Sequence, residues 1–286
     1  MSEKEKDEIS GAETTGHEWD GIKELNFPSP RWWLVVFLLC IIYAFGYWYF
    51  YPTLPISKGS LGWTQHKELA AEEAKIEVNQ KAYLDKMSKM SLSEIKNDKT
   101  MYAFAKDGGA AAFKQNCTAC HGSGGAGGKG FPNLNDDDWL WGGKLEDIYK
   151  TLKVGIRSGH PEARVSQMPA WGRDGLLPRE QIEDVAEYEI NLHNGDKAEK
   201  TPAYIRGSKI FAANCAVCHG EHGEGKQSVG APRLNDNIWL YGGDKSNIIN
   251  VINNAPAGVM PNWDKRLDDN TIKELSIYVH SLGGGE

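Results

Sequence analysis

The longest uninterrupted apolar stretch of the chain covers residues 32–51, where no charged residue occurs. A helix of about 20 residues rises about 30 Å, the thickness of a bilayer's hydrocarbon core. Trp32 and Trp33 stand at one end of the run, and Tyr47, Trp48, Tyr49 and Tyr51 at the other, the placement of interfacial aromatic belts. Pro52 and Pro55 stop the helix. The pattern predicts one transmembrane helix over 32–52. A cleavable signal peptide is the rival. Against it, the run is longer than a signal's apolar region, a polar segment precedes it, and no small-residue cleavage site follows. Cys40, mid-span, reads as a small apolar filler rather than a reactive thiol.

On both sides of this run the pattern turns polar. Residues 1–31 open with Met1-Ser2-Glu3-Lys4-Glu5-Lys6-Asp7-Glu8, predicted to be disordered, and continue through Trp19 to Phe27 and Pro28 as an interfacial segment. Residues 53–99 form a linker. From Gln65 to Lys99 it is rich in Ala, Glu, Lys and Gln, which predicts a charged helix with little apolar face and then a short turn. A helix polar on all sides bridges other parts or rests on a partner.

From about residue 100 the pattern repeats. Gly109, Phe113 and Cys117 return as Gly207, Phe211 and Cys215. Pro132, Leu134, Asn135, Trp139, Leu140, Gly142 and Gly143 return as Pro232, Leu234, Asn235, Trp239, Leu240, Gly242 and Gly243. Met168-Pro169-Ala170-Trp171 returns as Met260-Pro261-Asn262-Trp263. Each copy ends in a helical pattern, over 179–193 and 269–282, and Lys200-Thr201-Pro202 reads as the join. The domains predicted are therefore 100–196 and 201–286.

Two five-residue motifs give these repeats their chemistry: Cys117-Thr118-Ala119-Cys120-His121 and Cys215-Ala216-Val217-Cys218-His219. Two cysteines around two residues, followed by histidine, is the attachment signature of c-type heme. Each thiol adds to one vinyl group of the porphyrin, and the histidine lies under the iron as its proximal ligand. Zinc and a redox dithiol are the alternatives. A zinc ribbon spaces its pairs about 15–20 residues apart, whereas these lie about a hundred apart, and neither alternative explains a histidine after both pairs. Two heme c are predicted. The fold class follows: all-α, one N-terminal transmembrane helix and then two tandem class I cytochrome c domains. In each domain the first and last helices cross, with Phe113 and Tyr188, or Phe211 and Tyr278, at the crossing.

Met168 and Met260 are the candidate distal ligands, each followed by a proline that fixes its loop. Gap-filling core methionines are the alternative. Local pairing is the default, although two similar domains packed face to face have the option of exchanging methionine loops. His160 is the rival sixth ligand for one heme and has no counterpart in the second copy. His193, His222 and His280 read as surface residues. The carbonyls of Pro132 and Pro232 are candidate acceptors for the ligand histidines' second ring nitrogen. Arg157 and Arg233 are candidate partners of heme propionates, with solvated surface the alternative. Trp139, Trp171, Trp239 and Trp263 wall the hemes or simply pack the core.

Composition narrows the rest. Four of the five cysteines belong to the motifs, so there is no disulfide framework. The net charge is −7 with no dense Lys/Arg cluster, which excludes nucleic acid as a partner. An acidic surface suits a basic redox partner, and equally a merely soluble one. The positive-inside rule is silent, with Lys23 and Arg31 on one side against Lys58 and Lys67 on the other. Covalent heme attachment in bacteria places the C-terminal domains in the periplasm and the anchor in the inner membrane.

Taken with the N-terminal run from His17-Glu18-Trp19-Asp20-Gly21 to Pro30-Arg31-Trp32-Trp33, and with Gly155-Ile156-Arg157-Ser158-Gly159-His160, these parts resemble the membrane-anchored diheme cytochrome c subunit of cbb3-type cytochrome c oxidases. The resemblance covers nearly the whole chain. It implies that two hemes accept electrons from a soluble or anchored donor cytochrome c. They pass them to a monoheme subunit and on to a catalytic heme–copper subunit. It also implies that Cys117, Cys120, His121, Met168, Cys215, Cys218, His219 and Met260 hold the hemes, with no catalytic residue on this chain. A free-standing anchored carrier and a diheme cytochrome c peroxidase are the alternatives.

Overall fold

The computed structural model describes residues 5–53, 55 and 57–285. Residues 1–4, where the disorder predicted from the sequence begins, lie outside the described residues. The chain divides into two compact units, residues 1–79 and 80–286.

In the first unit, β1 (Thr14–Trp19) and β2 (Ile22–Leu25) pair antiparallel, with Trp19 opposite Ile22. Asp20 and Gly21 make the two-residue turn at φ +50 and +83, both left-handed, as a type I′ hairpin requires. Lys6 bridges Glu13 just ahead of the hairpin, so order begins earlier than the polar composition predicts. Helix α1 (Arg31–Phe50) starts after Pro30 and gives way to extended backbone at Tyr51, ahead of Pro52. None of its residues is buried, and its mean hydropathy is 2.0. This is the apolar span expected, in a form whose side chains need lipid for solvent. Helix α2 (Gln65–Met87) begins in this unit.

The second unit opens on the last turns of α2. Helix α3 (Leu92–Asn97) follows, started by a reciprocal Ser91–Glu94 capping box, and then α4 (Lys99–Asn116), capped by Asp98. The linker is not polar to its end. Met87, Leu92 and Ile95 are buried against Met101, Ala105, Leu145 and Ile277. Beyond α4 come the one-turn α5 (Thr118–His121), α6 (Leu145–Val154), α7 (Arg179–Ile190), α8 (Pro202–Asn214), the one-turn α9 (Ala216–His219), α10 (Lys245–Asn254) and α11 (Asp269–His280).

The packing partners are not sequence neighbours within each repeat. α4 crosses α11, and α8 crosses α7. Both crossings turn on a glycine: a Cβ on Gly109 would strike the Glu274 carbonyl oxygen, and one on Gly207 the Asp184 carbonyl oxygen. One helical turn further on, Phe113 meets Tyr278 at 5.3 Å and Phe211 meets Tyr188 at 5.1 Å between ring centroids. Phe113 therefore does not pair with Tyr188, nor Phe211 with Tyr278.

Two lobes result. The first joins α4, α5 and α6 to the Met260 segment and α11, around Phe113, Ile148, Leu152, Ile272 and Leu275. The second is contiguous, from Met168 through α7 and α8 to α10, around Ile182, Val185, Phe211, Ile248 and Ile252. It is a circular permutation of the repeat, set into the first lobe. The predicted join between 196 and 201 lies between α7 and α8, which pack together. Thr201 accepts from the Tyr204 N–H and Pro202 opens α8, so the join is a helix cap inside one lobe. The connection brings α8 back across α7, with Gly207 at the contact with Asp184.

Candidate functional site

In each repeat the first long helix ends at the first motif cysteine, and one further helical turn carries the remaining motif residues. The turn is closed the same way twice. Gly127 N–H donates to the His121 carbonyl and Gly225 N–H to the His219 carbonyl, at 2.7 and 2.8 Å. Leu134 N–H donates to Gly125 and Leu234 N–H to Gly223, both at 2.7 Å. Both Gly127 and Gly225 hold positive φ, and a Cβ on either would press on the backbone of the loop that returns past the histidine.

That loop brings Pro132 and Pro232 to the ligand candidates. His121 Nδ1 lies 3.1 Å from the Pro132 carbonyl oxygen, and His219 Nδ1 lies 3.0 Å from that of Pro232. A carbonyl only accepts, so Nδ1 carries the proton and Nε2 keeps its lone pair, the tautomer a metal needs. Burial lowers both imidazole pKa values, partly offset by these bonds, and so favours the neutral form.

The cysteines of each motif differ. Cys117 is buried and Cys120 exposed; Cys215 is half-buried and Cys218 exposed. Burial pushes the Cys117 thiol up to about 11, with Cys120 adding to it, and the Cys215 thiol up to about 12, with Glu189 and Cys218 adding to it. Among the described residues no group of three or more His, Cys, Asp or Glu side chains converges on a metal site. The donor set fits a heme held by thioethers and one histidine, and does not fit zinc.

The methionines are exchanged between repeats. Met260, with Trp139 and Trp263, packs in the core that contains Cys117 and Phe113. Met168, with Trp171 and Trp239, packs in the core that contains Phe211 and Cys215. Each motif therefore shares its lobe with the methionine of the other repeat.

His160 is otherwise engaged. Its Nδ1 accepts from the Glu162 N–H at 3.0 Å, and its Nε2 faces Asp264 at 3.3 Å. The Asn262 amide, bonded to Asp264, is the main cause of that carboxyl's lowered pKa. His160 thus ties its loop to the Met260 segment. Arg157 is bonded to two backbone carbonyls, those of Gly258 and Ser166. Arg233 stands with Asp138 and Lys226 around a cavity of about 300 Å³. There burial, then Asp236 and Asp136, push the Asp138 carboxyl up to about 6. Asp264 and the carbonyl bonds of Arg157 escaped sequence reasoning, because a partner drawn from the other repeat leaves no spacing to read.

The family model described as cytochrome c oxidase, cbb3-type, subunit III matches residues 104–188 and again 202–279, over the two motifs and their surroundings. The chain belongs to this family. The model for the N-terminal domain of cytochrome oxidase cbb3, FixP, matches residues 11–58, the hairpin and the apolar helix. Among curated relatives, the cbb3-type cytochrome c oxidase subunit FixP of Bradyrhizobium sp. (strain ORS 278) is 49% identical over 99% of this chain and 98% of its own. The subunit CcoP of Azospirillum sp. (strain B510) is 48% identical over the whole of both chains. CcoP of Cereibacter sphaeroides is 46% identical over 96% of this chain and 95% of its own. Subunit III of the cbb3-type oxidase is thus a c-type heme protein on a membrane anchor, with tandem cytochrome c repeats.

Proposed function

We propose that this chain is the electron-transfer subunit of a cbb3-type terminal oxidase and that it carries two heme c, one in each lobe. Cys117 and Cys120 attach the first heme and His121 is its proximal ligand. Cys215, Cys218 and His219 serve the second in the same way. The distal ligands are crossed: Met260 serves the first heme and Met168 the second. The observation that carries this reading is the pairing of each Cys-x-x-Cys-His turn with the other repeat's Met-Pro segment in one core.

When bound, heme supplies the one-electron iron couple. The chain's own residues set its conditions. The Pro132 and Pro232 carbonyls fix the histidine tautomer. The methionines supply a soft ligand that raises the reduction potential. Trp139, Trp263, Trp171 and Trp239 keep water from the two sites. A histidine and a methionine offered to each heme would suit an electron carrier, and oxygen reduction would fall to the catalytic subunit. Its partners are a donor cytochrome c, the monoheme subunit and the catalytic heme–copper subunit. The 20-residue span Arg31–Phe50 anchors it in the bacterial inner membrane, with the heme lobes in the periplasm.

The test is a mild-detergent pull-down with this chain as bait, followed by pyridine hemochrome typing. Two c-type hemes per chain together with b-type heme are expected. Two c-type hemes with no b-type heme and no further subunits would favour the free-standing carrier.

A further inference from the structure

Between α6 and the first methionine segment, the chain passes through Gly155, Ile156 and Arg157. This short stretch lies between two others. Ile156 exchanges backbone hydrogen bonds with Met260 in both directions, each 3.0 Å. On its other side Arg164 N–H donates to the Gly155 carbonyl at 3.0 Å, and Arg157 N–H donates to the Arg164 carbonyl at 2.9 Å. Arg157 holds φ +53. An L-residue persists there only when its surroundings over-determine it.

The side chain supplies that determination. Arg157 Nε donates to the Gly258 carbonyl oxygen at 2.7 Å, and Nη1 donates to the Ser166 carbonyl oxygen at 2.8 Å. Ser166 lies two residues before Met168-Pro169, and Gly258 two residues before Met260-Pro261. One guanidinium therefore grips equivalent points on both methionine segments. The position matching Arg157 after α10 is Ala257, so the second repeat has no such grip to offer. A planar fork with several fixed donors suits two divergent acceptors, where an ammonium acts as a point charge.

We infer that Arg157 is a positioning residue that holds the Met168 and Met260 loops together, so that one side chain sets the distal geometry of both hemes. This rests on the reading that those methionines are the distal ligands, and the experiment separates the two claims. The full heme-loaded chain in detergent is compared as parent, Met168→Leu, Met260→Leu, Arg157→Ala and Arg157→Lys. Covalent heme per chain reports folding and attachment. The methionine-to-iron charge-transfer band, the number of carbon monoxide molecules bound per reduced chain and both midpoint potentials report ligation.

The parent is expected to bind no carbon monoxide, and each methionine variant to bind one. Arg157→Ala keeps both covalent hemes, loses the charge-transfer band at both, binds two carbon monoxide molecules and shows both potentials lowered. Arg157→Lys keeps the charge without the fork and changes in the same direction at both hemes. It carries the test if Arg157→Ala does not fold. If the methionine variants bind one molecule each while the folded Arg157 variants bind none, or one only, the inference is overturned and the ligand reading stands. If neither methionine variant binds any, the ligand reading falls and the inference with it.

Discussion

Glu274 and Asp184 occupy matching positions on the two helices that close the lobes, yet their surroundings differ. Arg206 forks onto Asp184 with two bonds of 2.7 Å. In the first lobe Gly108 takes the place of Arg206, and burial, with Asp268 adding to it, pushes the Glu274 carboxyl up to about 7. Under acid conditions Glu274 keeps its proton whether the chain is folded or unfolded. As pH rises towards about 7 the unfolded chain releases that proton first, so stability falls across this window and then levels off. Glu274→Gln is expected to match the parent in acid and to exceed it by about 2 kcal/mol above pH 7, read from urea midpoints at each pH. At this scale the carbonyl acceptors of the two motif histidines were legible, because the same proline returns past each motif in both repeats. The two backbone carbonyls that Arg157 holds were not legible. A guanidinium that bonds backbone carbonyls gives no signal in the side chains around it.

Elements were legible in proportion to how local their causes are. The charge-free run and its flanking prolines defined α1 to within two residues at either end. The hairpin was missed even though Asp20-Gly21 is a strong turn signal, since its flanking residues do not alternate cleanly between apolar and polar. The end of α2 was read as polar because its apolar partners, Leu145 and Ile277, lie far along the chain. That end is also held from α11. Lys273, itself buried, donates from Nζ to the carbonyls of Met87, Ser88 and Met90 at 3.3, 3.2 and 3.0 Å. Lys273→Met takes that donor from the Ser88 and Met90 carbonyls, while the Met87 carbonyl keeps the Met90 N–H, and a loss of about 1–3 kcal/mol is expected in urea unfolding. The helix crossings are equally specific. Gly109→Ala and Gly207→Ala each drive a methyl group into a facing carbonyl. Each is expected to cost about 1–3 kcal/mol, with heme attachment retained, as measured by thermal unfolding of the loaded chain.

For the whole molecule, the two repeats were legible and their assembly was not. The hydrophobic pattern of α4 fits α7 as well as α11, because the repeats present the same glycine, aromatic and aliphatic positions. What decides is the short connection from α7 to α8, whose Thr201 cap and Pro202 turn the second helix back onto the first. With α7 and α8 committed to one lobe, α4 is left to α11, and each methionine segment follows its own closing helix into the lobe of the other motif. The crossed arrangement therefore follows from one helix pairing, and it can be measured at a single heme. The chain carrying Cys117→Ser and Cys120→Ser retains only the heme on Cys215 and Cys218. In that background, Met168→Leu is expected to abolish the methionine-to-iron charge-transfer band and Met260→Leu to leave it in place. Loss of the band with Met260→Leu, and its survival with Met168→Leu, would contradict the exchange.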